Sequence, residues 1–411
     1  MSALANIISA EPPPLAISEC HEWAEVQQIR ASWSNLVSQA PEPSVFLTPE
    51  WMFSWWRAYG GNRKLCVLVF TDPQAGVVGI APLYWESRRF LAFGKLRVLR
   101  LMGDGSGDSD DLDFIVKPGY AAEVATALLN WMIQTPWNLC EFECLSSKSE
   151  VVVLLRDELR KLGWKVATAH RPFTRVALPE TWEGYLKQLS AKERQKVGIR
   201  LRRLQSRHQV NFRRCERLDE IPAFLATLYS LHQKRWEAKG EPGSFRLPER
   251  RRFYEGMTRA LLSRGWLELW QMEMDGVPVA AQIGMRYGNC FYSLQEGFDP
   301  AYAGDSVGYV LRSQILRECI QSGARFYDFL YGEHESKQRW GADVGHYVDI
   351  DFARPGSAGA AYLAGSQVWR TGKDWLREHA SAKVWKAMQK MRRSLLERQP
   401  KGEMRVESTL E

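Results

Sequence analysis

Between Phe326 and Gly341 the chain reads FYDFLYGEHESKQRWG, and Asp328, Tyr331, Glu333, His334, Glu335, Lys337, Arg339 and Trp340 crowd into one short segment. Its start has the apolar character of a buried strand, so the ionisable groups that follow fall at the open end of that strand. A second chemical signal is DPAYAGDSVGYVLRSQIL. A strand ends at Phe298, a small, polar loop follows, and a helix begins near Ser306 with Gly308 in its first turn. Free N–H groups at a helix start, together with the helix dipole, favour an anion, and a glycine there lets a pyrophosphate approach the backbone. Asp305 and Ser306 also fit the plainer role of helix caps.

GDGSGDSDDLD, residues 103–113, alternates Asp104, Ser106, Asp108 and Asp110 as a calcium loop does. With Asp104 in the first place, however, Ser109 falls where the loop needs glycine and Ile115 where it needs glutamate. The segment reads as a solvated loop or as a polar wall, carrying Asp110 and Asp111, for a substrate with hydroxyls or amines. Lys187, Lys192, Arg194, Lys196, Arg200, Arg202, Arg203 and Arg207 lie on one helical stretch, either a solvated face or an attractor of phosphate. GxxxxGK[ST] and HExxH are both absent. Cys140 and Cys144 sit close together, but no His or acidic residue completes a metal quartet at the usual spacing, so no metal is expected.

These groups need elements to hold them. The chain has 411 residues, 55 Lys and Arg against 48 Asp and Glu, seven cysteines and 17 tryptophans. Its length favours two or three domains, and its mild positive charge suits an anionic substrate, nucleic acid or membrane surface without choosing one. The odd cysteine count reads as a reducing compartment. With no signal-type N-terminus and no apolar run near ~18 residues, a cytoplasmic protein is expected. EPPPL ends a leader at residue 14. FLTPEWMFSWWRAYGG predicts a helix capped by Thr48 with Pro49 in its first position. The following residues alternate as strands with DPQAG, DG and GN turns, and a long basic helix is expected at about 184 to 208. Helices, hairpin, strand, helix and strand recur at a period of about 170 residues. This predicts an α/β (α+β) protein with two related domains, 15–178 and 179–355, and a site near the groove between them. Residues 356–411 are expected to hold a basic amphipathic helix, docked on its own protein, on a partner or on a membrane surface.

FLTPEWMFSWW, LSAKERQKVGIRLRRL, HQKRWEAKG, DSVGYVLRSQIL and above all YDFLYGEHESKQRWG resemble the CelD/BcsL family of bacterial tandem GNAT-type acyltransferases, over roughly residues 20 to 355. That family is related to the FemXAB aminoacyl transferases and is associated with exopolysaccharide and cellulose production. The resemblance implies two tandem GNAT-like domains, each a mixed, mostly antiparallel sheet flanked by helices, with acetyl-CoA or another acyl-CoA bound by the second. No covalent enzyme nucleophile is then needed. Asp305, Ser306, Val307, Gly308 and Tyr309 would hold the pyrophosphate, although Val307 stands where these families place proline. A backbone N–H near Gln295 to Gly297 would bind the oxyanion, and Glu296 would take the amine proton. Tyr302, Tyr309 or Tyr331 would protonate the thiolate, and Lys337 would neutralise a phosphate or the oxyanion. Arg235, Trp236, Asp110, Asp111, Asp328 and Trp340 are expected around the acceptor, with Asp328 and Trp340 also able to serve as an ion-pairing or packing residue. The acceptor would be a saccharide precursor or an amino metabolite. The alternatives are transfer from aminoacyl-tRNA, or an accessory protein contacting a membrane-bound synthase.

Overall fold

The computed structural model describes residues 15–90 and 94–366. The expected leader and most of the expected C-terminal helix lie outside them. Among the described residues thirteen strands form one sheet: β1 (Ala16–Cys20), β2 (Lys64–Asp72), β3 (Gly76–Arg89), β4 (Lys95–Leu101), β5 (Ile115–Val116), β6 (Leu139–Leu145), β7 (Lys165–Ala177), β8 (Val210–Arg214), β9 (Leu267–Met274), β10 (Val277–Tyr287), β11 (Cys290–Phe298), β12 (Phe326–Tyr331) and β13 (Asp343–Ala353). Across the sheet the order is β1-β2-β3-β4-β6-β13-β7-β12-β11-β10-β9-β8, with β5 attached to β3.

The order is a near mirror. In each half a run of antiparallel strands ends in a parallel junction, β4 with β6 and β11 with β12. The two halves then exchange their closing strands. β13, late in the chain, pairs with β6 of the first half, whereas β7 pairs with β12 of the second. The two exchanged strands also pair with each other along eleven residues, from Asp343 opposite Arg175 to Ala353 opposite Lys165. The fold is thus two GNAT-like units built into one mixed, mostly antiparallel sheet flanked by helices.

Local chemistry explains the elements. Asp275 and Gly276 both take positive φ, 52° and 80°, as the two-residue turn of the β9–β10 hairpin demands. Thr48 accepts from the Trp51 N–H at 3.3 Å and starts the helix Pro49–Tyr59. Trp51 and Trp55 of that helix are fully buried, and Trp51 meets Phe253 of the helix Pro248–Leu262 edge to face at 4.9 Å, joining the halves. The basic stretch is two helices, Trp182–Gln188 and Ala191–Gln205. Leu189 is extended between them, and Ser190 opens the second by accepting from the Glu193 N–H at 3.3 Å. Over the second half, Ile221–Glu237 packs on one face of the sheet and Val307–Gln321 on the other. Among the described residues no helix is long and apolar enough to cross a membrane.

Candidate active site

The parallel pairing of β11 with β12 covers only Cys290–Tyr292 against Phe326–Asp328. Beyond it the two strands carry no mutual pairing and open as a wedge. On its other edge β11 stays bonded to β10, but Gln295 faces Ile283 while Ser293 faces Gly284, so Leu294 is an extra residue. Such a bulge re-aims backbone groups at a strand end.

A cleft of about 220 Å³ lies at the wedge, lined by the end of β11, the start of the helix Val307–Gln321, one side of the helix Ala191–Gln205 and residues Ser336, Arg339 and Trp340. Ser306 is left-handed (φ 57°, ψ 40°), which swings the chain from the turn Pro300–Asp305 into the helix. The Tyr309 and Val310 N–H groups already donate to the Ser306 carbonyl, whereas those of Val307 and Gly308 have no acceptor among the described residues. A Cβ on Gly308 would stand 3.3 Å from the Phe298 ring, so the missing side chain keeps this approach open.

Cations surround those N–H groups. Lys196, Arg200, Arg312 and Arg339 all line the cleft. Arg200 stacks over the Tyr309 ring at 4.3 Å, and Tyr309 stacks on buried Trp340 at 4.3 Å. Trp340 is fixed from behind, its carbonyl accepting from the Tyr185 hydroxyl at 2.9 Å. The Tyr309 hydroxyl contacts Glu193 Oε2 at 3.3 Å, and burial raises its pKa, so the phenol stays protonated. Arg312 lies four residues beyond Gly308, which puts both on one helix face.

Glu296 faces the cleft and is held by two guanidiniums. Arg235 donates to one carboxylate oxygen at 2.8 Å and Arg312 to the other. Burial works to raise its pKa, but the two arginines outweigh it and hold the carboxyl below its ordinary range. Gly297 is where the helix Ile221–Glu237 crosses β11: a Cβ there would stand 2.3 Å from the His232 backbone nitrogen. Burial and the nearby Arg235 and Arg250 push the His232 pKa down to about 4, so this ring is neutral.

Lys337 points inward. Its ammonium donates to the carbonyls of Phe329 (3.0 Å), Leu330 (3.2 Å), Tyr331 and Gly332 (3.3 Å), closing the end of β12 in place of a phosphate. Burial brings its pKa down to about 8 against the opposing pull of Asp110 and Asp328. Asp328 is fully buried, accepting from Arg175 Nε at 2.7 Å and from the N–H of left-handed Leu330 (φ 60°) at 2.7 Å. The Tyr331 N–H donates to Asp110 Oδ2 at 2.9 Å. Asp110, Asp111, Asp328 and Tyr331 therefore meet at the junction of the halves, away from the cleft wall. There burial lifts Asp110 and Asp111 to about 6.

The other predicted residues spread out. Tyr302 packs on the second-half core, Asp305 ion-pairs with Arg207, and Trp236 lies beside the His232 ring at 5.8 Å. The acidic loop, expected as a solvated loop or a polar wall, is buried instead: Asp104 accepts from the Tyr84 hydroxyl at 2.8 Å, and Asp108 from Tyr59 at 2.8 Å and Arg250 Nε at 2.9 Å. Arg339, one of the ionisable groups noted after β12, lines the cleft, and Arg312 and Phe298, which were not singled out from sequence, complete it. The i, i+4 spacing from Gly308 was the available signal for Arg312.

Residues 191–338 match the family model described as an acetyltransferase (GNAT) domain, and that match makes the chain an acyltransferase. No curated protein matches it. Among solved structures it is similar to FemX, at 13% identity over 81% of this chain and 96% of that one, with a TM-score of 0.57. A conserved protein of unknown function from Bacteroides thetaiotaomicron VPI-5482 is similar at 13% identity, 82% and 100% coverage and a TM-score of 0.51. At such identities the likeness is one of fold.

Proposed function

We propose that the protein transfers an acyl group from acyl-CoA to an amine or hydroxyl of a small acceptor, in the manner of the CelD/BcsL family and with a saccharide precursor as the favoured acceptor class. The observation that carries this reading is the cleft at the wedge. The N–H groups of Val307 and Gly308 have no acceptor among the described residues there, and they lie among Lys196, Arg200 and Arg339 near the end of β11. Two such N–H groups and three cations suit a pyrophosphate, and a narrow acyl arm would then run to where β11 and β12 part. The bulge at Leu294 turns β11 backbone toward that arm, where an N–H can stabilise the oxyanion of an attacked thioester. The attacking nitrogen or oxygen bonds to the carbonyl carbon, the carbon–sulfur bond breaks, and the acceptor's proton leaves through Glu296 or a water beside it. Because Glu296 is a weakened base, the reaction favours an acceptor that arrives already deprotonated.

Calorimetry with CoA and acetyl-CoA, followed by thiol release across a panel of aminosugars, tests this reading. Micromolar CoA binding with acceptor-dependent thiol release supports it; no CoA binding by purified protein overturns it. One observation favours aminoacyl-tRNA as the donor instead: Lys192, Arg194, Arg202 and Arg203 are exposed along the helix that borders the cleft. Steeply salt-dependent tRNA binding, with no response to CoA, would establish that alternative.

A further inference from the structure

At the opposite end of the sheet from the cleft, β1 is an edge strand paired antiparallel with β2, with Cys20 opposite Val67 and Glu19 opposite Leu68. One residue further, this register sets His21 across from Cys66. Glu19 and His21 are two residues apart, so their side chains share a face of the strand with Cys66. A carboxylate oxygen of Glu19, a ring nitrogen of His21 and the Cys66 sulfur all lie within 4.8 Å of one another. The Glu19 Oε2 to His21 Nε2 separation is 3.3 Å, and Glu19 Oε2 to Cys66 Sγ is 4.0 Å.

Each of these side chains also has an outer partner that aims it. Trp131 Nε1 donates to Glu19 Oε1 at 2.8 Å, leaving Oε2 turned to the other two. His21 Nδ1 lies 3.3 Å from the Leu65 carbonyl, a contact that places the ring proton on Nδ1 and the lone pair on Nε2. The Trp85 side chain stands beside the Cys66 sulfur. A tetrahedral ion with bonds of about 2.0 to 2.3 Å needs its donors roughly 3.3 to 3.7 Å apart. The oxygen–nitrogen pair already meets this, and the sulfur needs to close on the carboxylate oxygen by about half an ångström.

We propose that Glu19, His21 and Cys66 form a binding site for zinc or a divalent ion of similar softness, with water in the fourth position. One thiolate, one carboxylate and one neutral imidazole balance the ion's two charges. His21 and Glu19 are exposed, at 60% and 38% of their side chains, so the ion enters from solvent and the fourth position stays open. Bound there, it ties the first strand to its neighbour. β1, at the sheet edge, is paired to the sheet along one side through β2.

Cobalt(II) chloride titrated into the reduced full chain tests this. One equivalent should bind with a sulfur-to-cobalt charge-transfer band, displaced by zinc chloride. Cys66→Ala should lose the band with an unchanged circular dichroism spectrum. His21→Ala, an exposed change that leaves the core intact, should weaken binding by more than the roughly tenfold to hundredfold that losing an outer partner costs. A wild-type protein without the band, a band that persists in Cys66→Ala, or an unchanged affinity in His21→Ala would each overturn the proposal.

Discussion

Lys337→Met separates the two roles that a lysine at the end of β12 can play. Its ammonium serves four carbonyls, and that of Gly332 also accepts from the Thr174 hydroxyl at 3.1 Å. Removing the amine leaves the Phe329, Leu330 and Tyr331 carbonyls without it, at a cost of about 1 kcal/mol each at the low end of the range for buried acceptors. The low end applies because the ammonium's own desolvation disappears with it, so the variant should lose about 3 kcal/mol of stability near pH 7. The pH dependence is sharper. The folded pKa of about 8 lies below an unfolded value of about 10.4, so between the two the unfolded chain binds more protons and wild-type stability rises with pH. The advantage of wild type over Lys337→Met should therefore grow from about pH 8 to about pH 10, by at most about 3 kcal/mol and less in proportion to solvent screening. Urea unfolding of both proteins at several pH values measures the gap. Equal stability at pH 7, or a gap that closes as pH rises, would refute the inward-pointing role; a loss of CoA affinity at unchanged stability would restore the phosphate-facing one.

Other expectations follow from the same geometry. Gly308→Val puts carbon between Phe298 and the free N–H groups. If two charge-assisted bonds of about 1.5 kcal/mol each are lost, the CoA Kd should rise about a hundredfold in calorimetry. Gly297→Ala forces a methyl against the His232 backbone, where no side chain can move aside, and should cost about 3 kcal/mol or more in denaturant melts. Asp108→Asn strips the buried Arg250 of its counter-charge and should destabilise by about 3 to 5 kcal/mol. Restored stability in the double variant with Arg250→Met would confirm that the pair, and not local packing, is responsible.

Features decided within a few residues were legible. Thr48 and Pro49 start a helix and Asp275 and Gly276 make a hairpin where their side chains dictate, and the strand, loop and glycine-bearing helix around Ser306 form at the expected place although the Ser306 side chain makes no capping bond. Partners far apart in the chain were not legible. Arg235 approaches Glu296 across 61 residues, and it is this pairing that makes the carboxylate an anchor for guanidiniums. Lys337 looked outward because a lysine beside a strand end usually reaches water; only the bulge after Asp328 and the left-handed Leu330 gather carbonyls for it to cap. The acidic loop read as a solvated loop or a polar wall because alternating Asp and Ser carry no mark of burial. Its partners, Arg100, Tyr84, Tyr59 and Arg250, come from four separate elements. Likewise β7 and β13 were identified as strands, but alternation does not say which neighbour a strand will choose.

That choice bears on how the molecule is made. When β6 leaves the ribosome its bonding edge has no occupant, and the strand that fills it, β13, lies about two hundred residues later. At about 5 to 20 residues per second the nascent first half waits roughly ten to forty seconds with an unsatisfied edge. Contacts so distant in sequence also close slowly. A nascent chain in this state is open to capture by another copy, which could donate its own β13, so synthesis rate and crowding bear on the yield of monomer. A gene split after residue 178 would express two fragments, each lacking a strand that the other holds, and only their co-expression should return the intact sheet.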